Sequence, residues 1–128
     1  MKVRIYYEDT DAGGVVYHAR YIHFFERART EFLREKGLSV GELHNAGSIF
    51  PVVRLTVEFR APALLDDLVR VETEVLEVGK TSFTLGQRIL RDVDNKLLVE
   101  GQVTLVCVGP GMKAKRLPSE LVQVLKVA

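Results

Sequence analysis

The chain has 128 residues, 47% hydrophobic and 27% charged, with a formal net charge of +1. This composition fits one domain with one core and excludes a disordered or low-complexity protein. The near-neutral balance excludes a strong global field toward nucleic acid or an anionic membrane surface, and a lone cysteine, Cys107, excludes an internal disulfide.

No apolar run approaches the length of a membrane span. The N-terminal "MKVRIYYEDTD" lacks the apolar core of a secretory leader and alternates like a strand. With one cysteine, the expected compartment is the cytoplasm, with no nucleic-acid partner and no stable membrane insertion. No repeat or linker interrupts the chain, so residues 1–128 are expected to form a single domain.

In chain order, residues 3–8 read as a short strand. From Tyr17 to Lys36, Tyr21, Phe24, Phe25, Ala28 and Phe32 recur at three- and four-residue spacing, one apolar stripe on a helix. Arg20, Arg27, Glu31 and Arg34 fall on its other faces, and Gly37 can take the left-handed conformation that ends it. After Pro51 the period becomes two. Val53, Leu55, Val57 and Phe59 form one strand, and Val69, Val71, Thr73 and Val75 a second. Phe83, Leu85 and Ile89 form a third, whose apolar face Gln87 interrupts; Leu97, Val99, Val103, Leu105 and Cys107 form a fourth. "RDVDNKL" reads as the hairpin turn between the last two, and "PSELVQVLKV" as a short helix capped by Ser119. A strand, a long helix and then consecutive antiparallel strands make an α+β domain with the helix on one face of a sheet. Open sheet edges and a small core favour self-association.

The stretch "EDTDAGGVVYHARYIHFF" carries the chemistry. Asp9 and Asp11 are two apart, so in an extended segment they point the same way. Gly13 and Gly14 permit a tight turn and close backbone approach to a ligand. No Ser, Thr, Asp or Asn immediately precedes the helical pattern, so its first N–H groups are expected to lack a side-chain cap. Free N–H groups at a helix start suit an anion or a carbonyl oxygen becoming negative, and an upstream carboxylate can attack that carbonyl or activate water. A solvated acidic turn is the plainer reading of the same residues. A calcium loop fails: counted from Asp9, its fifth position is Gly13 and its twelfth is Arg20, where a carboxylate is required. His23 and His44 have no second ligand at metal spacing, so no metal site is expected.

The run Asp9, Asp11, Gly14, Val16, Tyr17, His18 and Tyr21 resembles the signature of the 4-hydroxybenzoyl-CoA thioesterase family, most closely its branch of Tol–Pal-associated acyl-CoA thioesterases. The match is dense over the first third of the chain. Beyond it, "VEFRAPALLDD" and "GKTSF" are weaker signals. The resemblance implies a hotdog fold, a long helix wrapped by an antiparallel sheet, paired with a second subunit and often assembled as a tetramer. It implies Asp11 as nucleophile or general base and His18 as a helix-start residue whose N–H polarises the thioester carbonyl. Tyr7 would support the carboxylate, Gly14 would provide the turn, and Tyr21 would serve both core and site. Lys80, Thr81 and Ser82 would contact the nucleotide of coenzyme A; Arg60 and the tail "MKAKR" are further cations for its phosphates. The expected function is hydrolysis of an acyl-CoA thioester with no cofactor, coenzyme A being part of the substrate. A hotdog hydratase or dehydratase and a non-catalytic acyl-CoA-binding domain are the alternatives. The acyl group is not legible, because pocket shape depends on tertiary structure.

Overall fold

The structure, a computed structural model, describes residues 1–127. A short strand β1 (Lys2–Arg4) opens the chain, and a single 3-10 turn covers Tyr7–Asp9. The long helix α1 spans His18–Glu35 and a short helix α2 spans Val40–Asn45. Four long strands follow: β2 (Val52–Phe59), β3 (Leu68–Val78), β4 (Ser82–Arg91) and β5 (Leu97–Val106). Helix α3 (Ser119–Val127) ends the described chain. The five strands form one antiparallel sheet in the order β1-β3-β4-β5-β2.

The aromatic stripe explains why α1 lies on this sheet. Tyr21, Phe24, Phe25 and Ala28 are buried against Val69, Val71, Ile89 and Val99. Leu33 belongs to a second apolar cluster with Phe83, Leu85, Val103 and Leu105, which α3 closes through Leu121 and Leu125. Gln87 lies on β4 opposite Gly101 of β5, between Leu85 and Ile89, which belong to different clusters. It is buried yet satisfied: its amide donates to Phe25 O at 2.9 Å and to Thr73 Oγ1 at 3.1 Å. Gly101 is required by packing, since a Cβ there would stand 2.8 Å from Thr56 O and 3.0 Å from the Phe25 ring.

Four details depart from the sequence reading. The first strand ends at Arg4, and the following 3-10 turn breaks the two-residue period through Asp9. Helix α2 was not expected, because six residues are too few to show a helical period. Its start was nonetheless encoded as a Ser-x-x-Glu box, Ser39 Oγ accepting the Glu42 N–H at 3.2 Å. Ser119 is the first residue of α3 rather than its cap; the Pro118 carbonyl accepts the Leu121 and Val122 N–H groups at 3.0 Å. Cys107 lies one residue beyond β5 and is fully buried.

Candidate active site

The two aspartates of the motif have opposite environments. Asp9 closes the 3-10 turn and is 4% exposed. One of its oxygens accepts the Tyr6 N–H at 2.9 Å; the other accepts Arg20 Nη2 at 2.6 Å and Nε at 3.0 Å. Its carbonyl accepts the Tyr17 N–H at 2.9 Å, which fixes the point where α1 begins. Asp11 is exposed. The expectation that both carboxylates share a face therefore fails, because the 3-10 turn replaces the extended segment that would have aligned them.

Residues 10–16 fold back on themselves. Thr10 and Val16 form an antiparallel bridge, Asp11 N–H donates to Val15 O at 2.9 Å, and Gly14 N–H donates to Asp11 O at 3.0 Å. Gly14 has φ +81°, so a residue without a Cβ is needed in this turn. Gly13 N–H donates to Asp11 Oδ1 at 2.8 Å. A Cβ at Gly13 would sit 3.2 Å from that oxygen. Among the described residues no donor occupies Asp11 Oδ2. One carboxylate oxygen is thus oriented by backbone while the other is open.

Helix α1 starts without a side-chain cap. The Arg20 N–H turns back to Tyr17 O at 2.9 Å, and among the described residues the His18 and Ala19 N–H groups donate to no acceptor. The exposed His18 ring packs on Tyr17 (centroids 4.6 Å apart) and edge-on to Phe59 at 6.2 Å, so it flanks the helix start without capping it. Tyr21 is buried behind, its hydroxyl oxygen accepting the Ala63 N–H at 2.9 Å. Burial raises the Tyr21 phenol above its ordinary range; the Ala63 bond opposes this, and the charges of Asp67 and Asp11 add to it. The Ala63 carbonyl in turn accepts the Val16 N–H at 3.0 Å, and Leu64 bridges Val15. The "APALLDD" loop therefore clamps the glycine turn. The Tyr7 ring is 83% exposed, and within one chain it has no hydrogen bond to Asp11.

The expected coenzyme contacts gather at the other end of the sheet. Lys80 O accepts the Leu117 N–H at 2.9 Å and Thr81 O accepts the Cys107 N–H at 2.7 Å, which brings the "GKTS" turn against the basic tail of Lys113, Lys115 and Arg116. Ser82 pairs with Val106, whereas Ile89, Val99 and Phe59 pair across the sheet at the Asp11 end. About seven residues of strand separate the two ends, roughly 23 Å at ~3.3 Å per residue. Arg60 stands apart from both groups of cations: its guanidinium is paired with Glu100 at 2.5 Å, and that hydrogen bond, with the charges of Glu100 and Glu58, holds it above its ordinary value. A cavity of about 370 Å³ opens between α1, α2 and the sheet on the Lys80 side, walled by Leu33, Val40, Phe50, Phe83, Leu85 and Leu105.

Comparison with known proteins bears on this arrangement. The model of the thioesterase-like superfamily matches residues 6–125. The chain belongs to that superfamily. An acyl-CoA thioester hydrolase, YbgC, of Escherichia coli O6:H1 is 49% identical over 97% of this chain and 92% of that protein. The acyl-CoA thioesterase YbgC of Haemophilus influenzae is 47% identical over 93% of this chain and 88% of that protein. The solved 1,4-dihydroxy-2-naphthoyl-CoA thioesterase of Synechocystis superposes with a TM-score of 0.92, covering 98% of this chain and 93% of that one. At 24% identity that likeness speaks to the fold, which is the hotdog fold.

Within this thioester hydrolase, two polar contacts near the site and the cavity escaped the sequence reading. Arg20 is the ion-pair partner of Asp9. A cation in the first turn of a helix opposes the helix dipole, and that mismatch was the available signal for an acidic partner. Gln87, read only as a break in an apolar face, holds α1 twice, donating to Phe25 O and accepting Arg29 Nη1 at 3.2 Å. No helix among the described residues is long and apolar enough to cross a membrane.

Proposed function

We propose that this thioesterase hydrolyses acyl-CoA thioesters to the free acid and coenzyme A, with Asp11 attacking the carbonyl directly or through water. The observation that carries this reading is the pairing of an open carboxylate oxygen on Asp11 with unpartnered N–H groups at the start of α1, two residues beyond the Thr10–Val16 bridge. In the first step an Asp11 oxygen, or a water it deprotonates, adds to the thioester carbon. The negative charge that develops on the carbonyl oxygen is held by the helix-start N–H groups near His18. Collapse of the adduct expels the coenzyme A thiolate. If Asp11 is the nucleophile, water then cleaves the mixed anhydride. The acyl-CoA specificity of the two YbgC relatives supports the substrate class.

The reading requires two copies of the chain. Within one chain about seven residues of strand, roughly 23 Å, lie between the Asp11 end of the sheet and the Lys80 end. The edge strand β2 is exposed along nearly its whole length, with Val52, Val53, Leu55 and Phe59 open to solvent. Antiparallel pairing of two β2 strands about Thr56 sets Arg54 of one copy opposite Glu58 of the other and Leu55 opposite Val57. It also carries the cavity and the Lys80–Ser82 turn of one copy toward the Asp11 end of the other. Each reaction centre then combines elements of both copies, and a tetramer is a pair of such dimers. A cytoplasmic location fits the free, buried Cys107.

The test is release of thiol from a panel of short, long and aromatic acyl-CoA esters by the parent and by Asp11→Asn. Turnover by the parent and its loss in a folded Asp11→Asn protein are expected. Equal rates would refute the mechanism. Binding without thiol release would indicate a carrier domain, and hydration of an enoyl-CoA would indicate a hydratase.

A further inference from the structure

The cavity walled by Leu33, Phe83 and Leu105 also carries polar residues in its lining, Glu26, Thr30, His44, Ser48 and one guanidinium. Arg29, on the same face of α1, lines it and is half-buried. A guanidinium has five N–H donors. One of them, on Nη1, donates to Gln87 Oε1 at 3.2 Å. No carboxylate among the described residues lies within 4.0 Å of this cation. Among the described residues no fully buried side-chain nitrogen or oxygen lacks a partner, so the remaining Arg29 nitrogens are not fully buried.

Anchoring the helix does not account for Arg29. Gln87 already ties α1 to the sheet through Phe25 O and Thr73 Oγ1. The arginine contributes a half-buried charge with one hydrogen bond, which leaves most of its donors for a ligand. Burial pulls its guanidinium below the ordinary value, and the charge of the exposed Glu26 only partly offsets this.

We propose that this cavity receives the acyl group of the thioester and that Arg29 reads an oxygen acceptor, carboxylate or hydroxyl, at the far end of that group. The proposal rests on the thioesterase reading above and adds a selectivity to it: oxygen-terminated acyl groups are preferred to plain alkyl groups of the same length. The apolar walls hold the methylene or ring portion, and the guanidinium fork binds the terminal oxygen from a half-buried position.

The experiment uses three CoA esters of one chain length, ending in methyl, hydroxyl and carboxylate. Their binding is measured calorimetrically on full-length Asp11→Asn protein, which needs no turnover, and thiol release is measured on the parent. Both oxygen-ended esters are expected to bind about tenfold or more tightly than the methyl-ended one. Arg29→Met is expected to erase that preference without weakening the methyl-ended ester. A carboxylate that outbinds the hydroxyl identifies an anion site, and equal binding identifies a neutral acceptor site. Arg29→Lys keeps the charge and loses the fork, so it is expected to cut the preference several-fold; this variant decides the matter if Arg29→Met does not fold. Equal binding of all three esters, or a preference that survives the substitutions, overturns the proposal. Preferential binding with no thiol release from any ester would leave the site standing and remove the hydrolase reading.

Discussion

The two ends of α1 are finished in opposite ways. At the C-terminal end, Gly37 takes φ +87°, its N–H donates to Arg34 O at 3.0 Å, and Leu38 N–H donates to Leu33 O at 3.0 Å. That end closes its own carbonyls with a glycine turn, as helices commonly do. At the N-terminal end no side chain caps the helix, the His18 and Ala19 N–H groups have no acceptor among the described residues, and Asp9 is turned inward to hold Arg20. A capping aspartate was within sequence reach and is used elsewhere. The contrast separates a terminus closed by its own backbone from one that leaves its first donors open, as the proposed oxyanion site requires.

The largest expected effect breaks the open end. Asp11→Asn removes the carboxylate proposed as base or nucleophile but keeps an oxygen for the Gly13 N–H, so thiol release should fall about a hundredfold or more. Stability measured by urea melt should change by less than about 0.5 kcal/mol, because the residue is exposed. Asp9→Ala should behave in the converse sense. It leaves Arg20 without its partner in a pair whose side chains are 6% and 25% exposed, and it should cost about 2 to 3 kcal/mol of stability. If Asp9→Ala unfolds no more easily than Asp11→Asn, the division of labour between the two aspartates is wrong.

The closed end gives a smaller effect. Gly37→Ala meets no atom within 4 Å, so only the left-handed backbone penalises it, by about 1 kcal/mol in a thermal melt. Thiol release per folded molecule should stay at the parent's value. The smallest effect concerns Tyr21 behind the open end. Its folded pKa lies above its unfolded value of 10.0, so the folded chain holds the phenol proton more tightly. The associated stability is complete below about pH 10 and is lost as pH rises through the folded pKa. The melting temperature should therefore fall more steeply above that pH for the parent than for Tyr21→Phe; equal slopes would mean that the phenol is not shielded.

Much of the framework was readable before any coordinates. The period-two runs after Pro51 became β2 to β5, the aromatic stripe became the buried face of α1, and "RDVDNKL" became the β4–β5 hairpin. These features are local, since side-chain period and turn chemistry act over a few residues. The missing cap on α1 was legible for the same reason. What failed was also instructive. Asp9 and Asp11 look equivalent two residues apart, yet one is sealed and the other open, because the Tyr7–Asp9 turn and Arg20, eleven residues away from Asp9, divide them.

The amino-acid pattern alone determined the long helix, the four long strands, their order and the glycine turn, because each depends on neighbours along the chain. Tertiary structure decided which aspartate is free, that the Ala63 loop clamps the turn, that Lys80 lies at the far end of the sheet from Asp11, and that Arg29 lines a cavity. Those outcomes depend on strand register and on burial between segments distant in sequence, where the same side chain can end as a sealed ion pair or as an open group facing solvent.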